Sequence, residues 1–92
     1  MTGGQLLLDC LRAQGVTTVF GQPGNQLAAL YRALYEQREH VRHITVRNEQ
    51  AGAMMADGYA RASGEPGVLL TVPGPGTANA AGGLVESFTV AP

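Results

Sequence analysis

The stretch Val16-Thr17-Thr18-Val19-Phe20-Gly21-Gln22-Pro23-Gly24-Asn25 decides the fold class. Its first five residues are β-branched or aromatic and are bracketed by Gly15 and Gly21, the punctuation of a short strand. Gly21 to Asn25 has the chemistry of a tight loop. Asn25 is placed to cap a helix carrying Leu27, Leu30, Tyr31 and Leu34 at i, i+3, i+4 and i+7 spacing. Outward from this strand, loop and helix, the same unit recurs. Val41 to Val46 reads as a second strand, and Asn48 as the cap of a helix from Glu49 to Ser63 that stops at Gly64, with Pro66 just beyond. Gly67 to Val72 reads as a third strand, nearly all apolar. Pro73-Gly74-Pro75-Gly76 follows it, then a small-residue helix from Thr77 to about Ser87. Ahead of the first strand, Thr2 and Gln5 have capping-box spacing, and Leu7, Leu8, Cys10 and Leu11 form the stripe of a helix ending at Gly15.

Strands separated by helices of this length pair in parallel through right-handed crossovers, and the apolar third strand fits a sheet covered on both faces. The expectation is an α/β fold: a parallel sheet of about three strands, with four helices distributed over both faces. The 92 residues allow one small domain at most, and 13 glycines make its burial marginal. The longest uncharged stretch, Pro66 to Val85, is broken by Gly, Pro, Thr and Asn, so no membrane span is expected. The start has neither the basic region nor the apolar run of a secretory signal, which makes cytoplasm the expected compartment. A net charge of −1, with six Arg and no Lys, argues against nucleic acid as a partner. The single cysteine, Cys10, has apolar flanks and reads as a packed thiol.

All three strand-to-helix loops fall at the carboxyl edge of the inferred sheet, where open α/β sheets bind their ligands. The third, Gly74-Pro75-Gly76-Thr77-Ala78-Asn79, invites a dinucleotide reading but ends in Asn, loses a donor at Pro75 and lacks the later acidic residue. A plain glycine turn is the competing reading. Glu49 is the carboxylate at a strand-to-helix junction beside two glycine loops. It reads either as a first-turn acid favoured by the helix dipole, or as an acid buried against a partner surface that shares a proton with a ligand nitrogen. Its helix is paved with Ala51, Gly52, Ala53, Ala56, Gly58 and Ala60, so another backbone can approach closely. His40 and His43 lack metal-ligand company, Met54, Met55 and Tyr59 read as core or interface packing, and Asp57 with Arg61 as a solvated i,i+4 pair. Ser63 has no base at triad spacing.

Taken together, Val19 to Asn25, Arg47 to Gly64 and Gly74 to Asn79 resemble the opening of the thiamine diphosphate-dependent enzymes, in particular the group of acetolactate synthases and 2-oxoacid decarboxylases. The resemblance runs along essentially the whole chain, with three motifs in order. It implies the first half of a doubly wound pyrimidine-binding domain, one that continues in the family into further strands, so that 1–92 reads as a truncated N-terminal part. It also implies that Glu49 hydrogen-bonds a ring nitrogen of the cofactor's aminopyrimidine and so helps the thiazolium carbon lose its proton. By the same analogy Gln22, Pro23, Gly24, Val72, Pro75 and Asn79 line the pyrimidine pocket. The cofactor would be thiamine diphosphate shared with a partner subunit of a dimer or tetramer, with Mg²⁺ held by a separate domain; no metal ligands are expected within this chain. Two positions depart from the family pattern. Asn48 stands where many relatives have His, and Val72 stands where some decarboxylating relatives carry a catalytic His. The substrate class implied is a 2-oxoacid such as pyruvate, with the isolated chain inactive. The alternatives are a stand-alone nucleotide- or anion-binding module on Gly74 to Asn79, and a non-catalytic assembly partner of an intact relative.

Overall fold

The structure, a computed structural model, describes residues 2–89. The chain begins with a capping box: the Thr2 hydroxyl accepts from the Gln5 amide at 3.1 Å while the Thr2 amide donates to the Gln5 side chain at 2.8 Å. That satisfies two otherwise orphaned groups and starts α1 (Gly3–Ala13). The order continues β1 (Thr18–Gly21), a short 3-10 turn (Asn25–Leu27), α2 (Ala28–Glu36), β2 (Arg42–Thr45), α3 (Glu49–Ser63), β3 (Val68–Leu70) and α4 (Pro75–Thr89). Among the described residues, no helix is long and apolar enough to cross a membrane.

The strands form a parallel sheet in the order β2-β1-β3. Register divides its side chains between two faces, because Val19 lies opposite His43 and Val68 while Phe20 lies opposite Ile44 and Leu69. On one face Val19 joins Leu8 of α1 and Ala33 and Leu34 of α2 in a core completed by Val16 and Val41. On the other, Phe20 packs with Val46 and with Ala56 of α3. Helices therefore cover both faces of a parallel sheet, the α/β arrangement expected. α4 packs on α3 so closely that a Cβ on Gly83 would lie 2.5 Å from the Gln50 carbonyl oxygen.

The strands are shorter than their sequence signals. Val16 is buried, but its amide closes the end of α1 on the Leu11 carbonyl, and the ladder starts only where Thr18 meets Arg42. β3 ends at Leu70, opposite Gly21, the last paired residue of β1. As an edge strand β3 is half-buried at each position, whereas central β1 is buried throughout. Asn25 does not cap α2: Gly24, in extended conformation, precedes the 3-10 turn that Asn25 opens, and no side chain caps it. Cys10 is exposed rather than packed, since helical geometry turns it about 200° from the buried Leu8. α4 starts at Pro75, two residues ahead of expectation, consistent with the preference for proline at a first helical position.

Candidate functional site

α3 is held at its start by Asn48, whose Oδ1 accepts from the Gln50 amide at 2.8 Å and the Ala51 amide at 3.3 Å. This cap aims the first turn, and with it Glu49, across the carboxyl edge of the sheet toward α4. Glu49 is half-buried there. Its Oε1 accepts from Asn79 Nδ2 at 3.3 Å. Its Oε2 lies beside Gly76, where a Cβ would stand 3.4 Å from that oxygen and 2.9 Å from Val72 Cγ2. A Cβ on Gly24 would in turn collide with Val72 Cγ1. Loop 22–24, the end of β3, the start of α4 and the start of α3 thus converge on one crevice at the switch point between β1 and β3.

Of the residues singled out from sequence, Glu49, Asn79, Val72 and Gly24 come together. Pro75 opens α4 at the rim and is exposed, as is Pro23; Gln22 is half-buried and makes no side-chain hydrogen bond among the described residues. Sequence reasoning passed over Gly76 as a site residue, although the glycine-proline-glycine run after β3 was its signal. It also passed over Thr77, whose hydroxyl lies 3.2 Å from Thr71 Oγ1 and donates to the Val72 carbonyl at 3.3 Å, tying α4 to the end of β3.

Chemically, the crevice offers a carboxyl group with one oxygen held by an amide donor and the other beside the Gly76 backbone. Its walls, Val72 and Gly24, are apolar. Such a group can accept or return a proton on a planar ligand. It also sits where an anion bound to the α4 N-terminus would lie, and so opposes anion binding there. A neighbouring cavity of about 420 Å³ does not include Glu49; it opens between α3, α4 and the free edge of β3, around Leu69, Ala56 and Leu84. Among the described residues no three His, Cys, Asp or Glu side chains gather as a metal site.

The remaining candidates fall elsewhere. Arg61 Nε pairs with Asp57 at 2.9 Å. Tyr59 packs edge-on against Phe20 with ring centroids 5.8 Å apart. Met54 and Met55 are exposed on α3, and His40 is exposed ahead of β2. His43 is on β2, where its Nε2 is 2.8 Å from the Tyr31 hydroxyl.

Residues 1–90 match the family described as "Thiamine pyrophosphate enzyme, N-terminal TPP binding domain". The chain is 47% identical over 88 residues to "Acetolactate synthase isozyme 2 large subunit" of Escherichia coli (strain K12), covering 96% of this chain and 16% of that protein. Over 88 residues it is 44% identical to "Probable 2-ketoarginine decarboxylase AruI" of Pseudomonas aeruginosa, covering 96% and 15%. An "Acetolactate synthase" of Bacillus subtilis (strain 168) is 44% identical over 87 residues, covering 95% and 15%. The chain therefore spans 15–16% of the length of these relatives.

Proposed function

Since the chain belongs to the thiamine pyrophosphate enzymes, whose N-terminal TPP binding domain it carries, we propose that Glu49 and its crevice hold the aminopyrimidine of thiamine diphosphate in an enzyme that cleaves or condenses 2-oxoacids. The observation that carries this reading is the placement of Glu49 at the carboxyl edge of the sheet, with Asn79 holding Oε1 and with Oε2 beside the Gly76 backbone and Val72. The residues present fit the pyrimidine end of the cofactor: one carboxyl group for a ring nitrogen, and a single apolar surface, made by Val72 packed on Gly24, for one face of the ring. When bound, the cofactor supplies an acidic thiazolium carbon and the electron sink for chemistry at the 2-oxoacid.

This chain's own part is to bind and to move one proton. Glu49 Oε2 gives a proton to, and takes it back from, the facing pyrimidine nitrogen. Asn79 fixes the carboxyl plane through Oε1. Val72 excludes water from one side and, being aliphatic, transfers no proton. Gln22, Pro23 and Pro75 form the rim of the same pocket. The diphosphate end finds no metal ligands among the described residues; Mg²⁺ and the diphosphate belong to a different domain, and the cofactor is shared with a partner subunit of a dimer or tetramer. Exposed Met54 and Met55 on α3 and Leu84 and Val85 on α4 support such a covered face. By itself the chain offers one wall of the pocket, so it neither binds thiamine diphosphate tightly nor turns over substrate.

The test is a chimera in which this chain replaces the aligned segment of the Escherichia coli relative. Exchange of the bound cofactor's thiazolium proton, followed by NMR, is expected to slow by about 10²–10⁴-fold in Glu49→Gln, the usual scale of a positioned acid-base group. Exchange as fast as in the unsubstituted chimera removes Glu49 from the mechanism.

A further inference from the structure

A second concavity, of about 390 Å³, lies between α2 and the free edge of β2, on the face of the sheet opposite α3. It opens toward the amino end of β2, whereas Glu49 follows the carboxyl end, so the two are separate places in the fold. Leu34 and Val41, both buried, contribute apolar lining. Tyr31 and Tyr35 add aromatic surface, and Arg38 and Arg42 supply the charge. No Asp or Glu lines it, and neither arginine has a carboxylate partner among the described residues.

We propose that this concavity is a binding site for a small aryl carboxylate, its ring against Leu34, Val41 and the tyrosines and its carboxylate between Arg38 and Arg42. The guanidinium of Arg38 is already ordered, lying 4.2 Å over the Tyr35 ring and donating from Nη1 to the Tyr35 carbonyl at 2.9 Å. A planar fork held in this way loses little freedom when it takes a planar carboxylate. The opposite side is equally settled, since Tyr31 and His43 meet edge-on at 4.8 Å and share a hydrogen bond of 2.8 Å. Burial also lowers the His43 pKa, so the ring is neutral near pH 7 and the positive charge comes from the guanidinium groups. A volume near 400 Å³ lies within the range of small-molecule sites. Apolar lining with two guanidiniums that have no carboxylate partner among the described residues selects for an anion with a hydrophobic body over either property alone.

Phenylacetate titrated into the full chain, followed by amide NMR shifts, tests the proposal. Saturable shifts confined to residues 31–43 are expected, with affinity falling about tenfold in Arg42→Gln and again in Arg38→Gln, as loss of a charge-assisted hydrogen bond implies. Arg32→Gln, on α2 but outside the cavity, should bind as the unsubstituted chain does. Phenylacetamide, which keeps the ring without the charge, and inorganic phosphate, which keeps charge without the ring, should each bind at least tenfold more weakly. Equal binding of either probe, shifts that grow linearly at all six arginines, or unchanged affinity in the double variant Arg38→Gln/Arg42→Gln overturns it.

Discussion

Gly76 separates the effect of one methyl group on the fold from its effect on the site. Ala in place of Gly gains up to about 1 kcal/mol of helix propensity near the start of α4. The same Cβ would stand 2.9 Å from Val72 Cγ2 and 3.4 Å from Glu49 Oε2, and overpacking of that kind costs about 1–3 kcal/mol. The gain offsets part of the cost, so Gly76→Ala should lower the melting temperature of the chimera by only a few degrees. Its affinity for thiamine diphosphate, measured by calorimetry, should fall more than tenfold, because the methyl displaces Val72 and Glu49, the two side chains proposed to meet the ring. Unimpaired binding would show that the close packing around Gly76 does not set the pocket. Glu49 was legible as a candidate from position alone: it is the acid that follows a strand and opens a helix. Its pairing with Asn79, thirty residues away, was not legible: resemblance set both residues at one pocket without joining them, and the role of Gly76 was hidden because glycine in a loop reads equally as a turn requirement.

Elements show the same division between local and distant causes. Both ends of α3 were readable to the residue because each carries its own chemistry: the Asn48 side chain caps the start, and Gly64 closes the end in the left-handed region at φ 76°. Replacing Asn48 by Ala removes two capping hydrogen bonds and should lower stability by about 1 kcal/mol in urea denaturation. No change in midpoint would mean that solvent replaces the cap. Strand bounds were not readable in this way, since a parallel ladder runs only where both partners overlap, and partner length is not encoded in the strand itself. Glycines within helices divide by what surrounds them. A methyl added at Gly58 would meet no atom within 4 Å, whereas one added at Gly83 would be 2.7 Å from Ala53 Cβ. Gly58→Ala should therefore raise stability by about 0.5–1 kcal/mol, and Gly83→Ala should lower it by about 1–3 kcal/mol by prising α4 off α3. The same sign for both would contradict the close α3–α4 contact.

For the whole molecule, stability rests on two thin cores in which Leu8, Val19 and Val41 are the largest fully buried side chains, so a single half-buried polar pair can shape its response to pH. Tyr31 and His43 join α2 to β2 on the α1 side of the sheet. Desolvation pushes the Tyr31 hydroxyl up from 10.0 to about 12 and lowers His43 from 6.5. In both cases the folded chain prefers the neutral form. For His43, the unfolded chain takes up protons first as pH falls through 6.5, so this contribution is complete above that value and is lost on acidification. For Tyr31, the unfolded chain ionises first, so its contribution is complete below pH 10 and is lost as pH rises toward 12. The plateau between these limits should be visible in urea midpoints measured from about pH 5 to 11. Tyr31→Phe removes the ionising hydroxyl and should flatten the alkaline limb, while His43→Gln, which keeps a partner for Tyr31, should flatten the acid limb and leave the alkaline one. If both variants kept the original slopes, neither limb would come from this pair, and Tyr31 and His43 would be a packing contact without a protonic role.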